Sequence, residues 1–231
     1  MVGPATGRRR TGIVMSTPRV RALAYWVMAV SSVAVAVVSY RYLVPGAPGG
    51  APPILANRFT HLGALTVHAG FAATALLIGP FQFLAGLRRR RPSLHRRLGT
   101  VYVVCCLCAG AAGLLLAAGV TAGPVASAGF GLLAASWLVA TTTAWRLARA
   151  RDFFRHERWM IRSFALTLAA VTLRLYLGLS FVLGLDYAVA YPAISFLCWI
   201  PNLIAAEVFI AAGRPGGLLG VARRAGPATA P

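Results

Sequence analysis

Two of the four histidines in this 231-residue chain sit among arginines, and they are the residues best suited to chemistry. His95 lies in Arg91-Pro-Ser-Leu-His95-Arg-Arg-Leu-Gly, and His156 lies in Arg151-Asp-Phe-Phe-Arg-His156-Glu-Arg-Trp-Met. Each segment leads into a long apolar run. Two imidazoles on one side of a helical bundle would supply axial nitrogens to a b-type haem, and Arg97 and Arg162 would meet its propionates. His68, inside an apolar run, would serve at the opposite face. The plainer alternative is a pair of interfacial histidines among charges that only set topology. Asp152, Glu157 and the same two histidines could also serve a metal-assisted hydrolase. However, no close-set ligand motif such as HExxH is present, so no metal site is expected.

Polar groups inside apolar segments are costly and mark either function or close packing. His61, His68, Ala75 and Gln82 recur every seven residues, with Ala72 and Gly79 on the same side of a helix. The stripe is read either as a close helix-packing face or as the lining of a ligand site. A second face carries Ser163, Thr167, Ala170 and Arg174. Counted from residue 163, Arg174 lies about 11 residues or roughly 16 Å along its helix, close to the bilayer midplane. Asn202 and Glu207 are the expected partners in a polar clasp, and Pro201 can free a backbone carbonyl beside them.

The elements that must position these residues are written in the charge pattern. The chain has 23 basic residues, all arginine, against four acids. Twenty of the arginines fall in four clusters, Arg8 to Arg21, Arg88 to Arg97, Arg146 to Arg162 and Arg214 to Arg224. Six apolar runs lie between and beside them, near 21–43, 64–86, 99–120, 126–148, 163–184 and 188–212, each matching the roughly 20 residues that cross a hydrocarbon core. The alternate connections, 44–59, 121–125 and 185–187, carry only Arg58 and Asp186, with Arg41 at the mouth of the first. Arginine-rich short loops stay cytoplasmic, so the expected architecture is an all-α bundle of six transmembrane helices, N-in and C-in. A single membrane domain would fill residues 21–212. Residues 1–20 and 213–231 read as disordered cytoplasmic ends, and Val44 to Asn57 as an external Pro/Gly-rich loop.

A net charge of +19 would point to nucleic acid in a soluble protein. Here the charge punctuates membrane spans in a chain that is 58% hydrophobic, so the expected partner is a bilayer with anionic headgroups, and no nucleic acid. The first apolar run is longer than a signal-peptide core and reads as a retained helix. A start at Met15 would keep Arg19 and Arg21, so residues 1–14 read as an extension or a mis-assigned start. Cys105, Cys106, Cys108 and Cys198 all fall in spans, where thiols behave as small hydrophobes and no disulfide framework is implied. The segments around His95 and His156 resemble each other, which points to a weak repeat of helix pairs, third with fourth and fifth with sixth.

Several motifs together carry a family resemblance. They are His68-Ala-Gly, Gly79-Pro-Phe-Gln-Phe, Leu87-Arg, Leu94-His95-Arg-Arg-Leu-Gly99 and Tyr102, then Ala150-Arg-Asp152, His156, Trp159-Met160-Ile-Arg-Ser163-Phe-Ala-Leu-Thr167, Arg174, Pro201-Asn202 and Glu207. Over roughly residues 60 to 210 the chain resembles the bacterial membrane-protein family known as domain of unknown function 2306, which has no established activity. The resemblance implies importance for His68, Gln82, His95, Arg97, Asp152, His156, Arg162, Arg174, Asn202 and Glu207. Many relatives have Gly-Arg where this chain has Gly99-Thr100. A looser likeness is to cytochrome b561-type bundles, which hold two haems with four histidines on successive helices. The lack of a histidine in the fourth span argues against two haems here.

The readings to be weighed are therefore a haem-linked membrane redox protein with a quinone or other electron partner, a small-molecule transporter or ligand binder around Arg174 and Asn202, and a structural or assembly protein. The expected location is a bacterial inner membrane. Substrate and oligomeric state, a homo-oligomer included, are left open.

Overall fold

The computed structural model describes residues 18–44 and 58–212, with side chains described for 19–44 and 63–212. Residues 1–17 and 213–231, nearly all of the Pro/Gly-rich loop, and the side chain of His61 lie outside these. Nine α-helices and one short 3-10 helix (Tyr40–Leu43) are found among the described residues, and no strand: α1 (Pro18–Ser39), α2 (Arg58–Gln82), α3 (Ala85–Arg90), α4 (Pro92–Ala118), α5 (Pro124–Arg149), α6 (Phe153–Thr167), α7 (Ala169–Val182), α8 (Tyr187–Leu197) and α9 (Ile200–Ala211). They make six segments long and apolar enough to cross a membrane: Arg19–Leu43, Gly63–Gln82, Pro92–Ala118, Pro124–Arg149, Phe153–Val182 and Tyr187–Ala211. The protein is an all-α, multi-pass membrane bundle.

The helix ends show why the histidines sit where they do. Pro92 occupies the start of α4, where its missing N–H has no helical partner to lose. The helix therefore begins about two turns ahead of the apolar run, and His95 lies within it. Asp152 caps α6 by accepting from the Arg155 amide at 3.1 Å, which starts that helix at Phe153 and places His156 in its first turn. At the other end of α2, Pro80 is followed by a tight turn through Phe83 and Leu84, so the helix stops at Gln82 and α3 begins at Ala85.

Two of the spans are broken. α6 passes into α7 at Leu168, and α8 passes into α9 at Cys198–Trp199, just before Pro201. The carbonyl of Cys198 accepts from Asn202 Nδ2 at 3.1 Å and from Thr172 Oγ1. The break is thus closed by side chains from both spans, which is how a non-helical turn survives at membrane depth.

The central packing runs from α2 to α4, α4 to α5 and α5 to α6, while α1 leans on α2, α8 on α5 and α9 on α6. Close approach depends on small residues. A Cβ added to Gly79 would stand 2.2 Å from Phe164 Cε2, and one added to Gly129 would stand 2.1 Å from Ser195 Oγ. The stripe on α2 is therefore in its middle a packing face, with Ala75 fully buried. Leu23, Val27 and Val30 on α1 and Leu175 and Phe181 on α7 are exposed, as side chains facing lipid should be.

At the centre lies a cluster of hydroxyl groups. Tyr102 OH is 2.8 Å from Thr167 Oγ1 and 3.1 Å from Ser163 Oγ, which is 2.7 Å from Thr141 Oγ1. Trp137 Nε1 donates to Thr167 Oγ1 at 3.0 Å. Every polar group of the cluster has a partner, so a polar centre is tolerated inside an apolar bundle.

Candidate functional site

Two cavities open between the helices, one at each end of the hydroxyl cluster. The basic-end cavity, of about 820 Å³, is bounded by the end of α2, the starts of α4 and α6 and the end of α5. His95 and His156 both line it, with Gln82, Arg88, Arg96, Arg149, Trp145, Val103 and Met160. His156 donates from Nδ1 to the Ala144 carbonyl at 2.8 Å, which fixes the tautomer and leaves Nε2 as the basic nitrogen of the neutral ring. His95 Nδ1 and Gln82 Nε2 are buried without a hydrogen-bond partner. Gln82 is only 6% exposed, so leaving its amide unpaired carries a desolvation cost. Arg88 meets Glu157 at 3.2 Å, which engages that carboxylate in an ion pair. Among the described residues no three His, Cys, Asp or Glu side chains cluster as a metal site.

The far-end cavity, of about 270 Å³, is mainly apolar, with Leu65, Ala72, Leu116, Phe130, Leu133, Trp137 and Leu173 among its lining residues. His68, Tyr42, Thr167, Tyr191 and Arg174 add polar groups. His68 donates from Nδ1 to the Ala109 carbonyl at 2.9 Å. Gly113 faces the same ring, where an added Cβ would come within 3.3 Å of Nδ1.

Several expected placements are corrected. Arg97 is exposed and does not line the histidine cavity. Arg96 does, because it shares its side of α4 with Gly99, Thr100 and Val103 at helical spacing, while Arg97 is turned about 100° further round. Arg162 also lies outside the cavity; its guanidinium stacks on Trp159 and pairs with Glu207. Glu207 is therefore not the partner of Arg174. Nor is Asn202, which donates to the Ala165 carbonyl, Thr172 and the Cys198 carbonyl. Arg174 instead donates to Ser39 Oγ and to the Ala170 carbonyl, both at 2.8 Å. Ser39 is the last residue of α1, so Arg174 stands level with the end remote from the arginine clusters. The midplane estimate fails because the fifth span starts at Phe153, well before residue 163.

Helical spacing from His95 did not point to Arg96, its immediate neighbour about 100° further round the helix, and Thr100 falls in the same wall. The partner Ser39 had no signal in the sequence, since only the docking of α1 beside α7 brings it to Arg174.

The fold and its two cavities define a polytopic helical membrane protein with buried polar sites. The chain belongs to the family described as "Predicted membrane protein (DUF2306)", which it matches over residues 65–210. No curated protein and no solved structure matches it, and the likeness to cytochrome b561-type bundles is not supported.

Proposed function

We propose that this protein is a b-type haem-linked redox protein of a bacterial inner membrane, with both termini cytoplasmic. The observation that carries the reading is that His95 and His156, from different spans, line one cavity. The cavity is large enough for a planar macrocycle and carries two buried polar atoms that lack protein partners. His156 would hold the group through Nε2, since its Nδ1–H is engaged by a backbone carbonyl. Arg96 and Arg149 offer charge to propionates, and Val103, Met160 and Trp145 offer an apolar wall. Haem b supplies one-electron chemistry when bound, and a quinone or a protein would be its electron partner.

The test is an absorption spectrum, oxidised and dithionite-reduced, of protein purified in mild detergent from haem-supplemented cells. A Soret band with sharpened reduced α and β bands is expected, lost in His95→Ala and His156→Ala and kept in His68→Ala. A colourless, well-folded protein would sink the reading.

A second reading, ligand binding or transport, is favoured by a separate observation. Arg174 lines the far-end cavity with no carboxylate within ion-pair distance among the described residues. Asn202 belongs to the helix break and not to that cavity.

A further inference from the structure

The chain has only four acidic side chains, and each has a place away from Arg174. Asp152 caps α6, Asp186 caps α8 through the Ala188 amide at 2.8 Å, Glu157 pairs with Arg88, and Glu207 pairs with Arg162. Arg174 is therefore a half-buried cation whose described partners are a serine hydroxyl and a carbonyl, both neutral. Its Nε makes no hydrogen bond among the described residues. The position lies beside an apolar cavity between the spans. A guanidinium in such a place is stabilised by an anion able to accept two parallel N–H groups.

We propose that the far-end cavity binds an amphiphile with a single carboxylate head on an apolar body, of the free fatty acid class, with the head on Arg174. This rests on the ligand-binding reading and names its ligand. Among the described residues one arginine is the only cation lining the cavity, which matches a monoanion better than a phosphate dianion. The body would lie along Leu65, Ala72, Leu116, Leu133 and Leu173, where about 270 Å³ admits a single chain segment or small ring. The two chains of a phospholipid exceed that space.

Trp137 lines this cavity and the other four tryptophans do not, so it serves as a reporter. A dibrominated stearate should quench fluorescence of the detergent-solubilised protein saturably, and Trp137→Phe should remove the saturable part. Arg174→Gln should raise the half-saturation concentration about tenfold or more. Arg174→Lys, which keeps the charge without the fork, should fall between, and guards against a glutamine variant that fails to fold. The methyl ester of the same acid should quench only as it does in Trp137→Phe. Equal quenching by ester and acid, or no effect of Arg174→Gln, overturns the carboxylate class while leaving ligand binding intact. Saturable quenching by brominated phosphatidylglycerol instead assigns the site to a membrane lipid and overturns the proposal. If no probe quenches Trp137 saturably, the ligand-binding reading falls with it.

Discussion

Arg162 and Glu207 join the fifth and sixth spans by a two-pronged ion pair, Nε to Oε1 at 2.5 Å and Nη2 to Oε2 at 2.8 Å. The guanidinium also lies over Trp159, 4.7 Å from the ring centroid. Together with the bonds of Asn202 to Ala165 and Thr172, this pair fastens α9 to α6 and α7. A polar clasp between these spans thus exists, closed by Arg162 and not by Arg174.

Glu207→Gln should lower stability in detergent by about 1 kcal/mol, since Glu207 is half exposed and the pair is partly screened. Arg162→Gln should cost a similar amount, and the double variant should cost clearly less than the sum. Thermal unfolding of the four proteins measures the coupling, and strict additivity would contradict a direct pair.

Gly79→Ala should be destabilised by about 1–3 kcal/mol, because its new methyl group would overlap the Phe164 ring. Gly63→Ala and Gly86→Ala add a Cβ with nothing within 4 Å and should be tolerated. Exchange of Phe164 for leucine in the Gly79→Ala background should recover part of the loss in Tm.

Tyr102→Phe should cost about 1–2 kcal/mol, as a fully buried hydroxyl with two partners is removed. Ser163 and Thr167 keep other partners, in Thr141 and Trp137, so the loss should stay within this range and the protein should still fold. A Tm unchanged from the parent would show that the cluster contributes nothing to stability.

Arg174→Leu should leave thermal stability unchanged or raise it, because no acid is stranded by its loss and the neighbouring cavity is apolar. Asn202→Leu should behave oppositely and cost about 1–3 kcal/mol, since the Ala165 carbonyl loses its side-chain donor and the Cys198 carbonyl loses one of two. A severe loss in Arg174→Leu would make that residue a structural clasp.

The proposed orientation predicts the fate of reporters. A single cysteine placed at Arg90 in a cysteine-free background should react with a membrane-impermeant maleimide only after the cells are opened. One placed at Asp186 should react in intact cells. The reverse pattern would turn the protein over in the membrane.

The number of spans and their helical type were legible in the sequence because a bilayer imposes a length on every apolar run and the arginine clusters punctuate those runs. The roles of Gly79 and Ala75 were half legible. Their spacing placed them on one face of α2, but only contact with Phe164 distinguished packing from a lined path. Which arginine meets which partner was not legible. Arg96 and Arg97 are neighbours in sequence that face different surroundings, and the helix starts at Pro92 and Phe153 depend on local capping that hydropathy does not register.

The sequence by itself determined a six-span bundle, because transfer of apolar residues from water to lipid is a sum over residues and needs no knowledge of their neighbours. Tertiary structure alone decided that His95 and His156 share a cavity, that Glu207 takes Arg162, and that Arg174 reaches Ser39. Those pairings depend on the rotation, breaks and docking of separate helices, and hydrogen bonds act over a few ångströms between groups far apart in the chain.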